Sequence, residues 1–205
     1  MKKLLVSTLM LLTCFCFGQN LEKDTIKLQE VAISNKKLKT KSIRYSTSCT
    51  HHEHFDYNSE IATLVNALPA GYLQSIQIDV NNIFYKTSIT FKDVEMEFLF
   101  YEVNADGSPG KQLPARHKFT ISGNQNGKMI VDVSGLSVYN PGQVYISLKR
   151  ITPPVLTEYT RDSEIHFVCG DKKKYRAYRQ RYNQPGWSEA KHCQALKMVV
   201  RQTVL

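Results

Sequence analysis

The chain has 205 residues and a formal net charge of +9, from 27 Lys and Arg against 18 Asp and Glu, with 42% hydrophobic and 22% charged residues. That composition is globular and excludes a collagenous or low-complexity chain, an acidic disordered tail and a disulfide-dense miniprotein. The cationic excess is gathered in 26–45 and 172–182, which points to particular faces or tails and excludes a uniformly basic nucleic-acid binder.

The chain opens on Lys2 and Lys3, continues through an apolar run from Leu4 to Phe17, and places Cys16 and Gly18 at the −3 and −1 positions before Gln19. This is the pattern of a secretory signal peptide over 1–18. The run is short of the roughly 20 residues that span a bilayer, so the leader reads as cleaved and the mature chain as having no transmembrane segment. The alternative is lipidation of Cys14 in Leu11-Leu12-Thr13-Cys14, but Thr13 fits a lipobox poorly. The expected location is the periplasm or the outer-membrane periphery, after cleavage before Gln19. Cleavage also removes Cys14 and Cys16, leaving Cys49, Cys169 and Cys193, so at most one internal disulfide forms in an oxidising compartment. Cys169 with Cys193 is the candidate pair, worth about 3 kcal/mol by chain entropy, with buried thiols as the alternative. No CxxC or paired-cysteine metal spacing occurs.

Residues 19–57 read as an N-terminal strand and basic linker. Within them DTIKLQEVAISNKK, 24–37, is similar to the segment ahead of the plug in Bacteroidetes TonB-dependent receptors. That resemblance implies strand addition to a partner's sheet edge through Leu28, Val31 and Ile33; a receptor itself is excluded by length. Next come His51-His52-Glu53-His54-Phe55-Asp56. If extended, His52, His54 and Asp56 share a face and have the donor types of a transition-metal site. The HExxH spacing is absent, and a solvated polar loop is the plainer reading. NSEIATLVNALP, 58–69, fits a helix capped by Asn58 with Ile61, Leu64, Val65 and Leu68 on one face, or a strand with Ile61, Thr63 and Val65 inward.

From there the signal is alternation between turn residues. Strands are expected at 72–80, 84–91, 94–103, 117–122, 128–133, 143–151, 164–169, 174–182 and 195–204. In VEMEFLFYEV, Val94, Met96, Phe98 and Phe100 alternate with Glu95, Glu97, Leu99 and Tyr101, so the strand should be buried on one side. The DGSPG that follows supplies tight-turn backbone angles. The expected fold is therefore all-β: a jelly-roll-like antiparallel β-sandwich over 58–205 with an N-terminal extended segment.

The stretch from Gly71 to Ile151, with LQSIQIDV, VEMEFLFYEVNADGSPGKQL, KMIVDVSGLSV and QVYISLKRI, resembles a domain of secreted and envelope proteins of Bacteroidetes. Such domains are associated with carboxypeptidase-regulatory-like repeats, and the resemblance implies a jelly-roll sandwich similar to carbohydrate-binding modules. A sandwich scaffold carries many unrelated sites, so the resemblance speaks to architecture first.

The binding candidate is KKKYRAYRQRYNQPGW, 172–187. On a strand, Lys174, Arg176, Tyr178, Gln180 and Tyr182 share one side, with Trp187 beyond its end, and cations interleaved with aromatics suit sugars bearing carboxylate or phosphate. The competing reading is a solvated outer face. No GxSxG elbow or Gly-rich phosphate loop is present. Paired carboxylates from Glu95, Glu97, Glu102, Asp132 and Glu164 are the one catalytic arrangement left open. The expectation is a non-catalytic envelope binding or interaction module without a cofactor, its partners envelope glycans or an outer-membrane protein complex. A carbohydrate-active enzyme and a structural accessory of an outer-membrane complex are the alternatives.

Overall fold

The structure, a computed structural model, describes residues 39–45, 51–55, 57–82, 92–153, 165–170, 176–181, 184–190 and 195–204. All fall within the unit Leu38–Leu205. In chain order the strands are β1 (Lys39–Tyr45), β2 (His51–His54), β3 (Glu60–Val65), β4 (Gly71–Asn82), β5 (Val94–Val103), β6 (Pro109–Ile121) and β7 (Gly127–Asp132). They continue with β8 (Tyr139–Asn140), β9 (Val144–Arg150), β10 (Ile165–Gly170), β11 (Ala177–Arg181), β12 (Gln184–Glu189), β13 (Ala195–Leu196) and β14 (Met198–Val204). The helical structure among the described residues is one 3-10 turn, Ser134–Leu136. No helix among them is long and apolar enough to cross a membrane.

The strands form two antiparallel sheets packed as a sandwich. One runs β1-β14-β4-β10-β13, with β7 and β8 also on β4 and β2 on β10; the other runs β12-β11-β3-β9-β5-β6. The chain changes sheet repeatedly as it proceeds, the habit of jelly-roll and Greek-key sandwiches. Ile76 and Ile78 of β4 and Met198 and Val200 of β14 face Met96, Phe98 and Phe100 of β5 and Ile146 and Leu148 of β9, all buried in one core. Such a core, in which each strand contributes every second residue, needs the alternation seen in the sequence.

Residues 60–65 form a strand and not a helix. An isolated helix of this length is marginal, whereas β3 gains a backbone ladder on both sides, with β9 and with β11. Thr63 is fully buried, and its hydroxyl oxygen accepts a hydrogen bond from the Leu196 N–H at 2.9 Å. Because Leu196 belongs to the other sheet, this bond ties the two layers together.

Several strands differ in extent or burial from those expected. β1 and β2 pair with β14 and β10, so the sandwich takes in strands that precede residue 58. β6 begins at Pro109, making the DGSPG turn the tip of a long β5–β6 hairpin, and β12 forms where Pro185 and Gly186 argue against a strand. β5 is buried on both faces over Met96–Tyr101. The strand expected at 84–91 lies outside the described residues.

Candidate functional site

The second buried face of β5 belongs to a cluster on the outside of the six-stranded sheet. Register places Glu60 of β3, Lys149 of β9 and Glu97 of β5 on one rung, then Ala62, Ser147 and Leu99, then Leu64, Tyr145 and Tyr101. These positions alternate with inward Ile61, Leu148 and Phe98, so all nine side chains share the outer face. Tyr178 of β11 extends the second rung beside Ala62.

Trp187 packs edge-on against Tyr101, with ring centroids 5.2 Å apart at 85°. In sheet order β11, β3 and β9 stand between Trp187 on β12 and Tyr101 on β5. In a flat sheet that is four strand spacings, roughly 19 Å at about 4.8 Å each. The sheet is therefore strongly curled, with this face concave. Tyr178 meets Tyr145 in the same way, at 5.8 Å and 84°. Tyr101 and Tyr145 form a buried floor, while Tyr178 and Trp187 are half-buried.

Beneath the aromatic floor lies a buried carboxylate. Glu60 Oε1 accepts hydrogen bonds from the Tyr101 hydroxyl at 2.7 Å and the Ser147 hydroxyl at 2.6 Å. Burial raises the Glu60 pKa above its ordinary value; the two hydroxyl donors and Lys149 pull it partly back, and Glu97 adds to the rise. Burial likewise raises the Tyr101 phenol, followed by the charge and hydrogen bond of Glu60. Burial raises Tyr145 as well, with Tyr178 contributing and Arg176 opposing. Glu97 is buried, with the Nε of exposed Arg116 at 3.9 Å, and its Oε1 has no hydrogen-bond donor among the described residues.

The exposed Arg176 lies at the end of this face, against the β5–β6 turn. Its Nη1 donates to the Asp106 carbonyl at 3.4 Å, and a Cβ added to Gly107 would collide with the same guanidinium. Gly107 also has φ of 80°, which a glycine adopts without strain. The Tyr145 hydroxyl donates to the Gly107 carbonyl at 2.6 Å. Within the turn, Asp106 Oδ1 accepts from the Ser108 N–H at 2.9 Å and the Ser108 hydroxyl at 2.7 Å, and these bonds hold the Asp106 carboxyl below the ordinary carboxylate range.

Arg176, Tyr178 and Trp187 are thus brought to one face, while Tyr182 lies outside the described residues. His52 and His54 lie in β2, in register with Val168 and His166, and Asp56 lies outside the described residues. No group of three or more metal-ligating side chains is found among the described residues. Cys169 is buried with its sulfur 3.6 Å from the Phe167 carbonyl oxygen, and Cys49 and Cys193 lie outside the described residues. Of the carboxylates considered for catalysis, Glu95, Glu102 and Asp132 are exposed, and Glu164 lies outside the described residues. The carboxylate that shares a rung with Glu97 is Glu60, which local sequence does not single out. The Asp-Gly turn was visible as a signal; that it would receive Arg176, some 70 residues later, was not.

Comparison with family models, with curated proteins and with solved structures gives no match.

Proposed function

We propose that this protein is a non-catalytic binding module of the bacterial cell envelope that takes a glycan bearing carboxylate or phosphate. The observation that supports this reading is the meeting of Tyr178 and Trp187, both half-buried, with exposed Arg176 on one concave face over a floor of Tyr101 and Tyr145. Flat aromatic area covers the apolar faces of sugar rings, and a fixed guanidinium pairs bidentately with an acidic substituent. Export through the 1–18 leader places such a module beside envelope polysaccharides. The resemblance of 71–151 to Bacteroidetes envelope domains points the same way.

Glu60 and Glu97, sharing a rung, favour the enzyme reading more than any other feature does. A glycosidase acid must face the scissile oxygen. Glu60 is 3% exposed, and its Oε1 already accepts from two hydroxyls, so its role is to hold the aromatic floor in place.

The test is a glycan array followed by calorimetry on the mature chain. Binding to anionic envelope glycans, with at least about a tenfold loss in the Arg176→Ala, Tyr178→Ala double variant, is the expected result. Unchanged binding in that variant would overturn the reading, as would hydrolysis of the bound glycan.

A further inference from the structure

A cavity of about 950 Å³ opens at the end of the sandwich beyond the β5–β6 turn. Its volume is at the upper end of the range for small-molecule sites, about 300–1,000 Å³. The inner wall is apolar: Leu113 and Ala115 of β6, Leu136 of the 3-10 turn, and Val138 and Val144 on either side of β8. Leu113, Ala115 and Leu136 pack against the main core yet stay only partly buried, so the core continues into the cavity as apolar surface left open to solvent.

The rim has a different chemistry. Its polar members include Glu102, Ser137 and Gln143, together with Tyr139, which is 43% exposed and packs at 5.4 Å on the 39%-exposed Tyr72. Among the described lining residues there is one carboxylate, Glu102, and no Lys, Arg or His, although the chain as a whole carries +9; the nearby Arg176 stands against Gly107, at the edge toward the β5–β6 turn. Beside Glu102 an anionic ligand would meet like charge, whereas an uncharged hydroxylated group would find acceptors, an amide and an aromatic face.

The lips of the cavity are held before any ligand arrives. The Asn104 N–H donates to the Ser108 carbonyl at 2.9 Å, and the Gly107 N–H to the Asn104 carbonyl at 2.8 Å. Across the opening, Asn140 is fully buried; its amide donates to Gln202 Oε1 at 3.0 Å, and its Oδ1 accepts from the Gly142 N–H at 3.0 Å. A preformed opening loses little on binding to the ordering of loops.

The geometry points to a second binding site, adjoining the anionic-glycan face at Gly107 but built from other side chains: a pocket for a small amphipathic molecule with an uncharged, hydroxylated head. The apolar body lies along Leu113, Ala115, Leu136 and Val144, and the head meets Glu102, Gln143 and the Tyr139 ring. Apolar walls alone would accept any hydrophobe; the carboxylate at the rim of a cationic protein is what selects against anions.

The experiment uses octyl glucoside below its micelle-forming concentration, titrated into the mature chain by calorimetry, with glucose and octyl sulfate as comparisons. Saturable binding of octyl glucoside is expected, with no binding of glucose and weaker binding of octyl sulfate. Ala115→Trp, which fills the cavity, and Tyr139→Ala, which removes an exposed ring without touching the core, should each weaken binding by about tenfold. No saturable binding, equal binding of octyl sulfate, or full binding in the Tyr139→Ala variant with its native circular dichroism would overturn the assignment. Tyr178→Ala breaks the proposed glycan face and should leave octyl glucoside binding in place, so the two readings fail separately.

Discussion

Glu60 shows how a side chain's surroundings decide what its charge does. Placed on a strand's outer face, a glutamate is ordinarily solvated; here the curled sheet buries it to 3% exposure under Tyr101. Its folded-state pKa lies above the ordinary value of 4.5, so as pH rises past 4.5 the unfolded chain gives up a proton that the folded chain still holds. Stability is therefore highest below that window and falls as pH rises through the raised folded pKa. Glu60→Gln keeps an acceptor oxygen for Tyr101 and Ser147 but carries no titrating proton. Thermal melts from mildly acid to neutral pH should show a decline in the wild type that the variant lacks, and parallel curves would contradict the assignment. Nothing in the local sequence announces this: EIATLV reads equally as helix or strand, and in the strand reading Glu60 points to water. It is covered by Tyr101, from two strands away, whose ring is in turn packed by Trp187 of β12, an arrangement local periodicity does not encode.

At the level of elements, β4 and β7 follow the alternation of their residues closely, because a strand buried against one core needs an apolar side chain at every second position, whereas β5 and β9 are buried on both faces. The departures have local causes. β12 was not legible because Pro185 and Gly186 are turn residues; it survives as the edge strand of its sheet, where a missing N–H costs least. The expected strand over 195–204 is broken at Lys197 into β13 and β14, with Lys197 Nζ paired to Asp79 Oδ2 at 2.8 Å. β3 was ambiguous because its choice between helix and strand is made by partners distant in sequence. Thr63 expresses that dependence, since its hydroxyl oxygen is the acceptor for the Leu196 N–H of the other sheet. Thr63→Val keeps the shape and strand preference but leaves that buried N–H without its acceptor, for a loss of about 1–3 kcal/mol. Chemical denaturation measures it; a loss no larger than that of an exposed Thr→Val control would show that the link between the sheets contributes little.

At the scale of the whole molecule, the order of the strands is set by pairings that span nearly the full described chain. β1 pairs with β14 from Lys39↔Val204 to Tyr45↔Met198, and β14 pairs on its other side with β4. The proposal of an exported protein predicts a mature product that begins at Gln19, which intact-mass measurement of the native material checks directly. A product carrying a lipid on Cys14 would instead place the module on a membrane.

The position of β14 also fixes when the sandwich can first exist. A ribosome delivers the chain from its N-terminus, so β1 and β4 emerge long before the strand that joins them. Until residues 198–204 are released, both have an unmet ladder of backbone donors and acceptors where β14 belongs. Completion of this sheet is thereby deferred until β14 has been made. Contacts of such long sequence separation also form slowly. Under the proposal of an exported protein, a polypeptide that stays open until β14 is available is one that a narrow secretion channel can thread, so the topology that delays assembly would also suit transport.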